Sequence, residues 1–428
     1  MGVLSRVLAV CALRTAAFFC VGGIALHLSA EPASLTLEKA LQYTLQSSPQ
    51  LAIYPFEQRA AEARVLQAGL RPNPELALEV ENVAGSGDLR GTRSAEYTLS
   101  LSQTVELGNK RQLRLNAAHR ATDSTEQAYA LARLEVLAET TRRYIETAHR
   151  QALQTWTQTQ VHSTEKALAG AQRRKQAGAV SMAEVDGLRI AVMRAQLDVQ
   201  RASSEVDVSC LRLASSWGAV RADFSNVRNV LFAFPALPAL SMLQARVQAS
   251  PQVAQYLSRA RLREAQLRLA ESGATPDINV GLGVRRLQES GDNALVFNFS
   301  MPLQINNRNQ GGIAQARAEM ERGQAEEHLG QIDINLLLHT FYAQAQSSQR
   351  EALLLKNTAL PLAESRLREM QNGYSTGRYS ALELIAAQNE RQAIERDSIE
   401  AASRFHFVML ELERLTGQPM THTTLAEK

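Results

Sequence analysis

The chain is written twice. Displaced by 202 positions, Ser48-Pro49-Gln50-Leu51 falls on Ser250-Pro251-Gln252-Val253, Glu62-Ala63 on Glu264-Ala265, Ala68 on Ala270 and Pro74 on Pro276. A displacement of 198 carries Leu99, Leu101, Val105, Leu107 and Lys110 onto Phe297, Phe299, Leu303, Ile305 and Arg308. One of 199 carries Gly178, Ser181 and Glu184 onto Gly377, Ser380 and Glu383. Small changes of offset are what short loop insertions leave, and an ordered series across most of a repeat is not a product of chance. The chain therefore reads as two copies of one unit, 31–230 and 240–417, joined by a proline-containing linker at 231–239 and followed by a tail at 418–428.

Each copy reads as helices, a hairpin and two long helices. In the first, helices are expected over 36–71, a hairpin over 74–107 and long helices over 109–176 and 181–216. In the second, the same elements fall at 240–273, 276–305, 308–373 and 380–416. The hairpins are marked by strict alternation. Leu76, Leu78 and Val80 alternate with Ala77, Glu79 and Glu81, and Tyr97, Leu99, Leu101 and Val105 with Thr98, Ser100, Ser102 and Thr104. Ile278, Val280, Leu282 and Val284 and then Leu295, Phe297, Phe299 and Met301 repeat the pattern. Such strands of about ten residues are long enough to cross a bilayer when tilted.

No proline occurs between Pro74 and Pro235, and the composition of 109–175 favours helix. At 1.5 Å per residue that stretch makes a rod of about 100 Å. Apolar and small residues spaced three and four apart mark coiled-coil seams. They are Leu131, Leu134, Ala138, Thr141, Ile145, Ala148 and Ala152, and after the turn Leu188, Val192, Ala195, Val199, Ala202, Val206, Ser209 and Leu213. In the second copy they are Leu329, Ile332, Leu336, His339 and Ala343, with Leu384, Ala387, Ile394, Ala401, Phe405, Val408 and Leu412 on the return. Pro361 is expected to kink its rod.

The N-terminus reads as an address. Arg6 and Arg14 flank an apolar stretch, Ala16 to Leu26 carries no charge, and Leu28-Ser29-Ala30 is a small-residue cleavage site, so 1–30 is expected to be an export signal. Cys20 is a weaker candidate for lipid attachment, because Phe19 precedes it where a small residue is expected. The whole chain has a net charge of +3, and loss of the leader's two arginines leaves it near balance. That balance excludes a nucleic-acid binder that works by neutralising phosphate. Three cysteines, two of them within the first 20 residues, exclude a disulfide framework. The histidines are scattered without a His-x-x-x-His pair, so no bound metal and no cofactor are expected.

Four strands cannot close a barrel, since about eight is the smallest number that encloses side chains. An open sheet of bilayer length is not viable in lipid. The strands must then be pooled with those of further copies, and multiples of four permit about 8, 12 or 16. The alternating pattern by itself also suits a soluble sheet with one solvated face.

The order of elements, repeated twice, resembles the outer membrane efflux (TolC-like) family. Leu70-Arg71-Pro72-Asn73-Pro74-Glu75-Leu76, followed by Ser100-Leu101-Ser102-Gln103-Thr104-Val105-Glu106-Leu107-Gly108-Asn109-Lys110-Arg111, is similar to its heavy-metal (cobalt–zinc–cadmium) branch. Gly373-Tyr374-Ser375-Thr376-Gly377 resembles the family's inner-helix turn. The resemblance implies a fold that is mainly α with a small β part. It implies a homotrimer with a 12-stranded transmembrane β-barrel continuing into a periplasmic α-barrel of long antiparallel coiled-coil helices. It further implies a passive outer-membrane duct of a Gram-negative bacterium, docked through a periplasmic adaptor onto an inner-membrane RND transporter. Such a protein is no enzyme and binds no nucleic acid. The alternatives are a soluble periplasmic coiled-coil scaffold or adaptor and a channel for organic toxins.

On this reading Leu99, Leu101, Phe297 and Phe299 face lipid. Glu79, Glu81, Glu96 and Glu106, with Glu75, share the lumen-facing phase and favour cations, although Arg285 shares that phase in the second hairpin. The resemblance places gating groups at Glu184, Tyr374 and Glu383, where rings of carboxylates can set a constriction. Ala386 and Tyr379 stand where some members carry a second acid and a basic partner. Both glutamates also suit the first turn of a helix through the macrodipole alone. Gly178, Ser181, Gly377 and Ser380 are expected to meet the adaptor at the helical tips, and are equally ordinary caps. Arg173-Arg174-Lys175 carries the same two readings. Gly373-Tyr374-Ser375-Thr376-Gly377 also fits a G-x-S-x-G nucleophile elbow, but that motif needs a preceding strand where a long helix is expected.

Overall fold

The computed structural model describes residues 34–418. The expected export signal with Cys20, and the tail from 419 onward, lie outside the described residues. Helix α1 (Leu37–Ser47) is capped by the Thr36 hydroxyl and α2 (Tyr54–Gly69) carries Pro55 in its first turn, where a missing N–H costs nothing. They lead into strands β1 (Glu75–Glu81) and β2 (Glu96–Val105), then the 67-residue α3 (Lys110–Gln176) and the returning α4 (Met182–Ala214). The second copy gives α5 (Leu240–Gln248), α6 (Pro251–Ser272), β3 (Ile278–Leu287), β4 (Asn293–Ser300), α7 (Gln310–Leu354), α8 (Leu360–Ser375) and α9 (Ala381–Thr416).

The two hairpins form a single antiparallel sheet in the order β1-β2-β3-β4. The join between the copies runs from Glu96 opposite Leu287 to Val105 opposite Ile278. Because directly opposed residues share a face, this register puts Leu76, Leu101, Leu282 and Phe297 in one row and Ala77, Ser100, Gly283 and Val296 in the next row on the other face. Gly283 is required there: a Cβ on it would lie 2.8 Å from the Leu99 carbonyl oxygen. β1 and β4 are the free edges.

The helices pack as two clusters that meet along α9. One joins α1, α3, α4 and α9 to the segment 224–231. The other joins α5, α7 and α9 around the fully buried Leu243, Leu338, Phe405 and Leu412. The connecting segment is held as a strap. Leu35 pairs with Val227, the Tyr144 hydroxyl lies 3.0 Å from the Leu35 carbonyl and 2.9 Å from that of Arg228, and His406 Nε2 lies 2.9 Å from the Leu231 carbonyl. Arg414 bridges Glu135 of α3 at 2.7 Å, tying the last helix of one copy to the first rod of the other.

Two departures from the sequence reading have physical causes. Pro361 does not simply bend a continuous helix. The turn before it, Leu355–Ala359, widens to a π-helix in which the Leu360 N–H reaches back to the Leu355 carbonyl. A proline ring collides with the carbonyl four residues earlier, here that of Asn357, and the wider turn relieves that collision. The seam expected at Leu329, Ile332 and Leu336 is not the one that packs within the chain. Those side chains are exposed, and the inward face of α7 is built from Gly323, Gly330, Ile334, Leu338, Ala345 and Ala352. The helix is apolar on two faces, and periodicity alone cannot say which one meets its own chain.

Candidate functional site

The first element of the site is the sheet. Its apolar face is uncovered: Leu76, Leu78, Leu99, Leu101, Leu282, Leu295, Phe297 and Phe299 are all exposed, Leu295 at 79%. Among the described residues no helix lies over them, so they are not a core of the described fold. Among the described residues no helix is long and apolar enough to cross a membrane. Arg286 is the one charged residue in the outward phase of the strands, at the loop end of β3, where it bonds the Gly291 carbonyl and the Asn293 side chain of its own turn.

The opposite face carries the acids, and the structure sorts them. Arg285 reaches across three strands, with Nη1 2.9 Å from Glu96 Oε2, Nη2 3.4 Å from Glu81 Oε2 and Nε donating to Thr98 Oγ1 at 3.0 Å. Thr98 is buried beneath it. Glu106 lies one residue past β2, where Arg114 Nη1 and Nη2 hold its two oxygens at 2.6 and 3.2 Å. That fork is a bidentate pair, the strong geometry for guanidinium and carboxylate. At the same level Lys110 pairs with Asp277 at 2.7 Å, which stitches the foot of one copy to the other. Glu79 and Glu75 lie opposite Thr98 and Ser102 and have no ion-pair partner among the described residues.

The second element is the pair of helical tips, which share one geometry. At the end of α3, Gly178 takes φ +73°, its N–H donates to the Lys175 carbonyl and the Ala179 N–H to that of Arg174. At the end of α8, Gly377 takes φ +75°, with its N–H on Tyr374 and that of Arg378 on Gly373. Both are Schellman turns, which need a residue tolerant of the left-handed region at this position. Three residues on, Ser181 and Ser380 cap the next helices, each accepting from a glutamate N–H, that of Glu184 or Glu383, at 3.3 Å.

The two equivalent glutamates then part. Glu383 folds back: its Oε2 accepts from the Ser380 N–H and hydroxyl, both at 2.8 Å, completing a capping box. The Ser380 backbone N–H, and after it the hydroxyl, hold this carboxyl below the usual glutamate range. Glu184 makes no such return bond and instead lines a cavity of about 500 Å³ between the tip of α3/α4 and that of α8/α9. His162, Lys166, Arg174, Tyr374 and Arg391 share the cavity wall. Arg174 lies over the Tyr374 ring, 4.2 Å from its centroid, a cation–π contact between the copies. The structure thus brings Glu184 and Tyr374 to one cavity and leaves Glu383 on the exposed turn.

Sequence reading treated Arg174 as one of three tip cations. Its pairing with Tyr374 joins residues 200 positions apart in the chain, and no local signal marks it. Gly373 lies against Tyr379, where a Cβ would fall 2.1 Å from the ring's Cδ2. The glycine that opens Gly373-Tyr374-Ser375-Thr376-Gly377 is therefore explained by packing at the end of a helix. Among the described residues no cluster of His, Cys, Asp and Glu is arranged to hold a metal ion.

Residues 40–219 match the model of the family described as outer membrane efflux protein. The cobalt-zinc-cadmium resistance protein CzcC of Cupriavidus metallidurans is 29% identical over 357 residues, 83% of each chain. The nickel-cobalt-cadmium resistance protein NccC of Alcaligenes xylosoxydans xylosoxydans is 23% identical, over 72% of this chain and 70% of that one. In fold, the outer membrane protein VceC of Vibrio cholerae superimposes with a TM-score of 0.74 at 18% identity, over 90% of this chain and 96% of the other. With its duplicated helix–hairpin–rod unit and its uncovered four-stranded sheet, the chain has a TolC-like fold, its first copy matches the outer membrane efflux protein model, and most of its length is similar to CzcC and NccC.

Proposed function

We propose that three copies of this chain assemble into the outer-membrane exit duct of a tripartite pump, and that its cargo is heavy-metal cations. The observation that carries the proposal is the sheet. It has four strands, two free edges and an exposed apolar face, so it can neither close alone nor rest in water. Pairing β4 of one copy with β1 of the next removes both edges and turns the apolar face to lipid. The α7 stripe at Leu329, Ile332 and Leu336 gives the rods a matching surface for a neighbouring copy. The names of CzcC and NccC support metal cations as the cargo.

In this arrangement the rods run into the periplasm of a Gram-negative cell. Gly178, Ser181, Gly377 and Ser380 sit at the adaptor-facing end, and an inner-membrane RND transporter supplies the energy. Glu184, Tyr374 and Glu383 form the periplasmic gate. The duct itself needs no catalytic group.

Fractionation and deletion test the proposal together. The protein is expected in the outer-membrane fraction as a detergent-extracted trimer, and deletion is expected to sensitise cells to cobalt, zinc or cadmium. A monomer in the periplasmic fraction would establish a soluble scaffold instead, and sensitivity to organic toxins alone would overturn the metal assignment. Glu184→Ala combined with Glu383→Ala is expected to raise single-channel conductance and remove block by multivalent cations. Unchanged conductance and block would remove the gate from these residues.

A further inference from the structure

We propose that Arg285 sets the charge selectivity of the barrel: it ties down two of the lumen's carboxylates and leaves Glu79 and Glu75 as the uncompensated ones. The inference rests on the trimeric duct proposed above.

Four carboxylates share the inward phase of the strands, Glu75, Glu79 and Glu81 on β1 and Glu96 on β2. Arg285 is the only cation of the described strands in that phase. Its guanidinium lies in the loop-end half of the sheet, between Glu96 at 2.9 Å and Glu81 at 3.4 Å. The Asn82 amide donates to the other oxygen of Glu96 at 3.2 Å, so that carboxylate is held from both sides. A cluster of two acids and one arginine keeps one net negative charge per copy where two would otherwise stand.

Room for this arm is built into the same face. On β3 the two inward positions immediately before Arg285 are Gly281 and Gly283, and on β4 its opposite residue is Ala294. These small residues leave the β4 side of the arm open, and the arm turns toward β1 and β2. Glu79 is left out. Its partner on β2 is the neutral Thr98, whose hydroxyl is engaged by Arg285 Nε. In the assembled barrel its other neighbour is β4 of the next copy, whose inward residues, Ala294, Val296, Asn298 and Ser300, include no cation. Glu79 therefore recurs around the lumen as an unpaired ring, while Glu81 and Glu96 are restrained and half neutralised.

An ion in the lumen senses these charges through water, so the effect must depend on ionic strength. The screening length is about 30 Å at 0.01 M salt and about 3 Å at 1 M. A selectivity set by lumen charge is strong in the first condition and nearly absent in the second. A brace that only stiffened the sheet would leave ion preference unmoved at both.

The experiment is the reversal potential of purified trimers in planar bilayers under a KCl gradient. Arg285→Ala removes one positive charge per copy and is expected to raise the potassium-to-chloride permeability ratio about threefold at low salt, with the difference vanishing near 1 M. Glu81→Gln with Glu96→Gln keeps the arginine and is expected to move the ratio in the opposite direction. That double variant decides the matter if Arg285→Ala fails to assemble. Glu79→Gln is expected to lower the ratio while leaving the Arg285 cluster intact. Conducting channels with one ratio across wild type, Arg285→Ala and the double variant would overturn the inference and leave the duct standing. No conductance from the wild-type protein or from the Glu184→Ala, Glu383→Ala variant would overturn the duct and the inference with it.

Discussion

Leu101→Arg separates a lipid-facing sheet from a solvated one by the size of a single penalty. Leu101 lies near the middle of the ten-residue β2, opposite Leu76 on one side and Leu282 on the other, and 54% of it is exposed. Ten residues at about 3.4 Å each, tilted by about 40°, rise about 26 Å, close to the apolar band of a membrane barrel. In the proposed duct Leu101 falls at the bilayer midplane, where arginine costs about 2–4 kcal/mol and cannot reach either surface cheaply. That is about a 30- to 700-fold loss in the folding equilibrium per copy, repeated at three distant positions of the proposed trimer. On a solvated face the same substitution stays within about 0.5 kcal/mol, because an exposed arginine needs no partner.

The assay is refolding of purified chain into preformed vesicles across a urea series, scored as protease-protected trimer. Leu101→Ala is the control for packing lost on truncation. The arginine variant is expected to lose insertion at urea concentrations where the alanine variant retains it. An arginine variant that inserts as well as the alanine variant would refute the placement of this face in lipid, and with it the barrel.

Further outcomes follow from the helices. Leu338→Ala opens the core around a fully buried side chain and is expected to cost about 2–5 kcal/mol, read as a lower thermal midpoint of the helical region. Leu336→Ala, at a side chain 63% exposed in the lone chain, is expected to spare that midpoint and instead weaken trimer association in dilute detergent. Tyr144→Phe leaves the Leu35 and Arg228 carbonyls without their hydroxyl and is expected to cost about 1–3 kcal/mol, with faster amide exchange in the strap as the local readout. The Glu383 cap has a pH dependence of definite sign. Its folded pKa is depressed by the Ser380 N–H and hydroxyl, so the cap contributes fully above the ordinary glutamate range and is lost as pH falls through the lowered value. Amide protection at the tip of α9, taken relative to the intrinsic exchange rate at each pH, is expected to fall in acid in the wild type and to stay constant in Glu383→Gln.

How much of this was legible before the structure depends on how far each interaction reaches along the chain. Period-two alternation marked all four strands because each strand's two faces meet different surroundings, a local property. The tip glycines were visible because a Schellman turn demands one at a fixed place after a helix. Arg285 was visible as a cation in the lumen phase, but its partners were not. Glu96 comes within reach only through the β2–β3 register, which pairs Glu96 with Leu287, and Glu81 only through the β1–β2 register added to it. The two apolar faces of α7 defeated periodicity for a related reason: each repeats at helical spacing, and the choice between them is made by α6 and α9. The π-turn before Pro361 was legible as a disturbance and not as its form, because relief of the proline clash by a wider turn depends on how the flanking helices are held.

The two uncovered apolar surfaces ask for different neighbours, and their borders say which. On the sheet the outward row is broad and continuous across the strands, from Leu76 through Leu101 and Leu282 to Phe297, with its one charge, Arg286, at the loop end and folded onto its own turn. A surface of that breadth, whose polar groups Gln103, Arg286 and Asn293 stand at its ends and bond within the chain, matches a solvent of hydrocarbon, which offers no hydrogen bonds and takes any shape. On α7 the stripe is one helix wide, and Glu327, Gln331, Asp333 and Asn335 interleave with Leu329, Ile332 and Leu336. Hydrocarbon would strand those polar groups, whereas a second protein helix buries the stripe and leaves its rims wet. A single chain thus carries one surface suited to lipid, at the foot of α7, and another suited to a copy of itself, midway along that helix. The proposed duct, which spans the boundary between membrane and water, would cover both.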